Sequence, residues 1–239
     1  MNLLIPKQHG AWAMLIIPFL LSAIISGFSI FHIPLFIGWL FLYLGTYPFL
    51  LLLRKKKTDL HRKWSLIYGS IALLSLIPPI LYDWRMLYFG FAMIPFFLIN
   101  IYYAKRNRER AFFNDLTAIA AFGVGGLASY FLGSGSLDPM AWFLFTLTFL
   151  FFLGSTFYVK TMIREKKNTR FKWFSWLYHA LIPLLLILSG NSLFIIAFIP
   201  SILRAVLFYG RKMSIMKVGI LEIENAVYFF FAMLMIILM

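Results

Sequence analysis

Along this chain, continuously apolar runs of about 17 to 22 residues alternate with short clusters of Lys and Arg, and few folds can accommodate that alternation. A run of this length spans ~30 Å of hydrocarbon as a helix. The runs are Gly10 to Ser26, Pro34 to Leu53, Trp64 to Tyr82, Met86 to Tyr103, Leu116 to Leu132, Met140 to Val159, Trp173 to Ser189, Leu193 to Tyr209, and about Gly219 to Met239. Within hydrocarbon each backbone amide must find its partner inside the segment. Because the runs do not alternate polar with apolar, helices are expected and a β-barrel is not. The expected fold class is all-α: a polytopic transmembrane helical bundle of nine helices.

Composition agrees. With 62% hydrophobic and 13% charged residues, the chain has too little charge to clothe a soluble core. It has no cysteine, which excludes disulfides, thiolate nucleophiles and Cys-held zinc or iron-sulfur clusters. The first run has the length of a signal-peptide core, but no A-x-A site closes it, so an uncleaved first helix is expected. No repeat, low-complexity stretch or linker divides the chain, and a single integral-membrane domain, 1–239, is the economical expectation.

Basic residues orient the bundle. One set of alternate connections holds Lys7, then Arg54 to Lys57 with Arg62 and Lys63, then Lys105, Arg106, Arg108 and Arg110. It continues through Lys160, Arg164, Lys166, Lys167, Arg170 and Lys172 to Arg211, Lys212 and Lys217, and so takes 20 of the 22 Lys and Arg. The other set holds Arg85, while Arg204 falls inside a span. The positive-inside bias then puts the N-terminus in the cytoplasm and, with nine spans, the C-terminus outside. Short connections on the other side, YDWR, GSGSLDP and GNS, imply hairpins of helices one and two, three and four, five and six, seven and eight.

The net charge of +14 is therefore mostly topology. No exposed aromatic platform interleaves with it, so nucleic acid is not an expected partner. Membrane lipids are, with anionic head groups at the cytoplasmic face, and the same face would attract an anionic substrate.

The candidate chemistry sits at helix ends. Asn114 and Asp115 stand where the fifth span begins, where one of them is expected to cap the helix and the other is left for a ligand. The span that follows places Thr117, Ala121, Gly125 and Ser129 at i, i+4 spacing, a small-residue face for close packing or for a cavity wall. Lys160 and Arg164 share a helical face after the sixth span and suit a phosphate or carboxylate. Arg204 and Glu222 lie within spans, where charge is expensive; they either pair across the last two helices or serve as a snorkelling Arg and a frayed helix start. His179, also within a span, is a candidate proton carrier or a satisfied core histidine. His32 and His61 read as ordinary loop residues. In KQHGAWA, Lys7 to Ala13, His9 is either the rim of a site or an interfacial lip.

KQHGAWA, NRERAFFND and YVKTMIRE resemble the YwiC-like family of bacterial integral membrane proteins over essentially the whole chain. That resemblance implies the bacterial inner membrane and no particular activity. A fainter architectural similarity is to UbiA-type prenyltransferases, which have nine helices, a cytoplasmic N-terminus and active-site loops after helices two and six. There, two aspartate-rich motifs hold magnesium on a prenyl diphosphate. Here the corresponding loops read RKKKTDLHRK, with Asp59, and KTMIREKK, with Glu165, so neither motif is present and no metal site is expected. YYAKR, Tyr102 to Arg106, resembles a Tyr and Lys-Arg element of those enzymes with its spacing off by one.

Three functional readings stay open, and no cofactor is identified. One is a UbiA-like enzyme or lipid-binding protein acting on a prenyl or other phosphorylated lipid. In it Asp115 or Glu222 is catalytic, and His9, Asn114, Lys160, Arg164 and Arg204 bind substrate in a cytoplasmic-side cavity. The second is a transporter of a small solute or anion that uses Arg204, Glu222 and His179. The third is a membrane scaffold or regulator.

Overall fold

A computed structural model describes residues 4–6, 9–54 and 58–239, without the side chain of His9. Lys7, Gln8 and Lys55 to Lys57 lie outside the described residues. Among those described, the chain forms nine α-helices and no strand. They are α1 (His9–Ser26), α2 (His32–Leu53), α3 (Thr58–Tyr82), α4 (Leu87–Lys105), α5 (Phe112–Ser134), α6 (Pro139–Ile163), α7 (Thr169–Leu188), α8 (Ile195–Leu207) and α9 (Ile215–Leu238). Single 3₁₀ turns, Trp84–Met86 and Ser192–Phe194, lead into α4 and α8. Seven helices are long and apolar enough to cross a membrane, and α1 and α8 are shorter apolar helices. This is a multi-pass membrane protein.

Two helices outrun their apolar spans for a simple reason. Thr58 to Lys63 and Lys160 to Ile163 contain good helix formers, and a helix satisfies its own backbone on both sides of the hydrocarbon boundary. α5 also starts early, at Phe112, with Ala111 as an N-cap that makes no side-chain cap bond. Asn114 and Asp115 therefore sit inside the first turn, and neither is the cap. The Asn114 amide instead donates to the Glu109 carbonyl at 2.7 Å, tying the preceding loop to the helix.

The chain divides into two compact units, residues 1–8 with 18–145, and residues 9–17 with 146–239. In the first, α2 and α3 run antiparallel in extended contact. A Cβ on Gly38 would lie 2.6 Å from Leu76, and one on Gly45 would lie 3.4 Å from Tyr68, so the pair stays close over two turns. α4 packs on α5, whereas α3 and α4 meet chiefly through the 3₁₀ turn between them. The expected hairpin of helices three and four is thus replaced by closely packed pairs joined through basic connections. Arg54 holds one of those ends together: its guanidinium donates to the Ala104 carbonyl at the end of α4 and pairs with Glu109. A cation is favourable at that negative helix end.

α5 is the most buried of the long helices. Its small face packs closely: Trp39 covers Gly125, the Pro18 backbone lies 3.0 Å from a Cβ placed on Gly126, and Ser129 Oγ donates to the Phe19 carbonyl at 2.8 Å. Phe19, Leu35, Met86, Ala128, Phe131 and Leu132 form the core around it. His32 and His61 are buried rather than loop-exposed. Ser29 N donates to His32 Nδ1 at 2.9 Å, so Nε2 carries the proton and donates to the Ser129 carbonyl at 2.8 Å.

Candidate functional site

The second unit places a set of polar side chains between apolar helices. On α9 the spacing Val218, Glu222, Asn225, Ala226, Phe229 and Met233 defines one stripe, and on α8 Ala197, Ser201, Arg204 and Ala205 define another. The upper part of the junction is aromatic: Phe229 stacks on Phe151 of α6 at 3.9 Å, with Phe198 edge-on to it. The lower part is polar.

Arg204, in the last turn of α8, forms an ion pair with Glu222 of α9, and their side chains are 5% and 11% exposed. Nη2 of the same guanidinium donates to Ser155 Oγ of α6 at 3.1 Å, and that serine also hydrogen-bonds to the carboxylate. The guanidinium carbon lies 4.6 Å from the ring centre of Tyr158, a cation–π contact. One turn away Ser201 and Asn225 hydrogen-bond to each other at 3.1 and 3.2 Å. Two polar rungs therefore cross from α8 to α9, three residues apart on each helix.

α7 brings His179. Its Nδ1 stands 2.7 Å from the Ser175 carbonyl, which can only accept, so Nδ1 carries the proton and Nε2 presents a bare lone pair. The ring lies against Gly154 of α6, where a Cβ would sit 3.3 Å from Nε2. Gly154 immediately precedes Ser155, and the missing side chain lets the imidazole reach the level of the Arg204 and Glu222 pair.

Among the described residues, four buried polar atoms here have no hydrogen-bond partner: Arg204 Nε, Tyr158 Oη, Ser175 Oγ and His179 Nε2. Buried polar groups are nearly always satisfied by protein or water, so such a cluster marks where small molecules can be held. Arg204 Nε is a donor, the two hydroxyls can donate, and His179 Nε2 accepts in its neutral form.

Of the residues singled out in the sequence, the structure thus brings Arg204 and Glu222 into contact, as the paired alternative required. Lys160 lies in the last turn of α6 and Arg164 just past its end, and the backbone of that turn links them through the Arg164 N to Lys160 O bond at 3.0 Å. Asn114 and Asp115 belong to the first unit, with Asn114 buried and its Oδ1 unbonded. The His9 side chain lies outside the described residues. Ser155, Tyr158, Ser201 and Asn225 went unnoticed in the sequence. Ser201 and Asn225 were detectable as polar residues one turn from an intramembrane charge, on the same helical face.

Comparison with known proteins adds the following. The YwiC-like protein family matches residues 5–130. The chain is 48% identical to the uncharacterized protein YwiC of Bacillus subtilis, covering 99% of both chains. It is 40% identical to an uncharacterized protein of Haemophilus influenzae, covering 98% of both. No solved structure matches.

Proposed function

We propose, for a chain that belongs to the YwiC-like family, that it is a membrane carrier of a small anion, with the Arg204 and Glu222 pair as its exchangeable binding element. The observation that carries this reading is a closed ion pair inside apolar helices, beside donors that lack partners among the described residues. Desolvating two charges costs several kcal/mol per ion, and plain helix glue is obtained more cheaply from apolar packing. Intramembrane ionisable residues generally mark solute or proton pathways.

The chemistry follows from charge balance. When Glu222 takes up a proton, Arg204 is left buried and uncompensated, which is strongly unfavourable. An anion entering beside the guanidinium restores neutrality, and Arg204 Nε and Tyr158 Oη supply hydrogen bonds to it. Proton and anion then occupy the site together, and His179 Nε2, with its free lone pair, passes the proton to or from Glu222. In this reading the molecule sits in the bacterial inner membrane as one integral-membrane domain, with its N-terminus in the cytoplasm as the basic connections argue.

The enzyme reading depends on Asp115, His9, Lys160 and Arg164 sharing a cavity, and the intramembrane charges support the carrier instead. The test is proton uptake into proteoliposomes under an imposed anion gradient, read by an enclosed pH dye. Small carboxylates, phosphate and inorganic anions form the panel. At least one anion should accelerate uptake with wild type, Arg204→Gln should abolish the acceleration, and Glu222→Gln should uncouple it from pH. If no anion in the panel accelerates uptake, or if Arg204→Gln matches wild type, the carrier reading fails.

A further inference from the structure

At the other extreme of the chain's charge pattern stands Arg85, the one Lys or Arg in the connections opposite the basic ones. It sits at the mouth of an apolar groove of about 540 Å³ in the first unit. α4, α5 and the start of α6 form the groove, with Phe89 and Ala92 on one wall, Leu127 on another and Trp142 at the side. Phe145 also lines it, and its ring lies over Gly123, where a Cβ would come within 2.5 Å of the ring. From Tyr88 to Phe96 the wall on α4 rises about 12 Å, most of one ~15 Å leaflet of hydrocarbon.

The rim is polar and built. Asp83 grips Arg85 along one edge, receiving Nε at 3.0 Å and Nη2 at 2.6 Å, and Arg85 N bonds to the same carboxylate at 2.9 Å. Phe131 supports the guanidinium from below, 4.8 Å from ring centre to Cζ. A guanidinium has five N–H donors, so this grip leaves the Nη1 edge pointing away from Asp83. The Arg85 side chain is 48% exposed. Tyr88 and Trp142, both exposed, flank the opening as amphipathic rings do at head-group level.

We propose that this groove is a binding site for one phospholipid, an acyl chain lying against α4 and α5 and the phosphate held by the Nη1 edge of Arg85. The rim's chemistry selects the occupant: with Asp83 holding the other edge, the Nη1 donors of Arg85 over an apolar slot match a phosphate carried on a hydrocarbon chain. The site is separate from the Arg204 and Glu222 pair, and neither proposal depends on the other.

Native mass spectrometry of the protein released from neutral detergent tests it. Wild type should retain one phospholipid. Ala92→Trp, which fills the slot from its exposed wall, should lower retention at least fivefold, whereas Leu185→Trp, on the exposed face of α7, should not. Arg85→Gln changes only the rim, and it should lower retention of phospholipid at least fivefold while leaving retention of a diacylglycerol with the same chains unchanged. Three results would each overturn the site: no phospholipid on wild type, wild-type retention in both Ala92→Trp and Arg85→Gln, or diacylglycerol displacing phospholipid equally well.

Discussion

His32 Nε2 donates to the Ser129 carbonyl at 2.8 Å, and Ser129 Oγ in turn donates to the Phe19 carbonyl at 2.8 Å, so one residue of α5 is bonded to both α1 and α2. Both bonds are buried, and both engage backbone carbonyls rather than other side chains. His32→Leu leaves the buried Ser129 carbonyl and the partly buried Ser29 N without that partner. The expected loss is about 1–3 kcal/mol, read from unfolding in mixed detergent, with His32→Gln recovering part of it.

Gly126 faces backbone rather than a movable side chain, since an added Cβ would meet the Pro18 carbonyl oxygen at 3.0 Å. Gly126→Val is expected to cost about 1–3 kcal/mol by forcing α1 and α5 apart. Gly219→Ala on α9, with nothing within 4 Å, is expected to stabilise by about 0.5–1 kcal/mol through helix propensity alone. Equal melting temperatures for the two variants would contradict the close approach.

Arg204 and Glu222 are expected to be strongly coupled. Either single change, Arg204→Met or Glu222→Leu, should cost about 3–5 kcal/mol by leaving its partner uncompensated, and the double change should recover most of that. A double-mutant cycle in one detergent measures this. Stability returning while anion-dependent proton uptake stays lost would separate the pair's binding role from its packing role.

Asp83 carries a pH signature. Hydrogen bonds from Arg85 hold its carboxyl below the usual carboxylate range. A group depressed in the folded state stabilises above its unfolded value, and that stabilisation disappears as pH falls through the folded value. Wild type is therefore expected to melt above Asp83→Asn at neutral pH, the two curves converging only below the ordinary carboxylate range. Parallel curves down to low pH would show that the bond contributes nothing.

What could be read from the sequence was what hydrocarbon imposes on every residue of a span. Length and apolarity located the nine helices, and the i, i+4 row from Thr117 to Ser129 marked the helix that others press against. Partner choice was less visible. Short connections suggested that helices three and four embrace, yet α2 fits α3 because Gly38 and Gly45 face Leu76 and Tyr68, a match of surfaces that loop length does not encode. Asn114 resembled a cap because the apolar run begins after it, but the helix begins before it. His32 read as an ordinary loop residue, since its partner lies 97 residues away. Arg204 and Glu222 were conspicuous because their cost in a membrane is high whatever surrounds them.

α8 has 13 residues and so rises only about 20 Å, while its neighbours α7 and α9 have 20 and 24. An apolar cylinder that short cannot match a ~30 Å layer unless the bilayer is drawn in around it or its ends are wetted. A voltage that falls over ~20 Å instead of ~30 Å gives a field about half as steep again, and Arg204, in the last turn of α8, stands at one end of it.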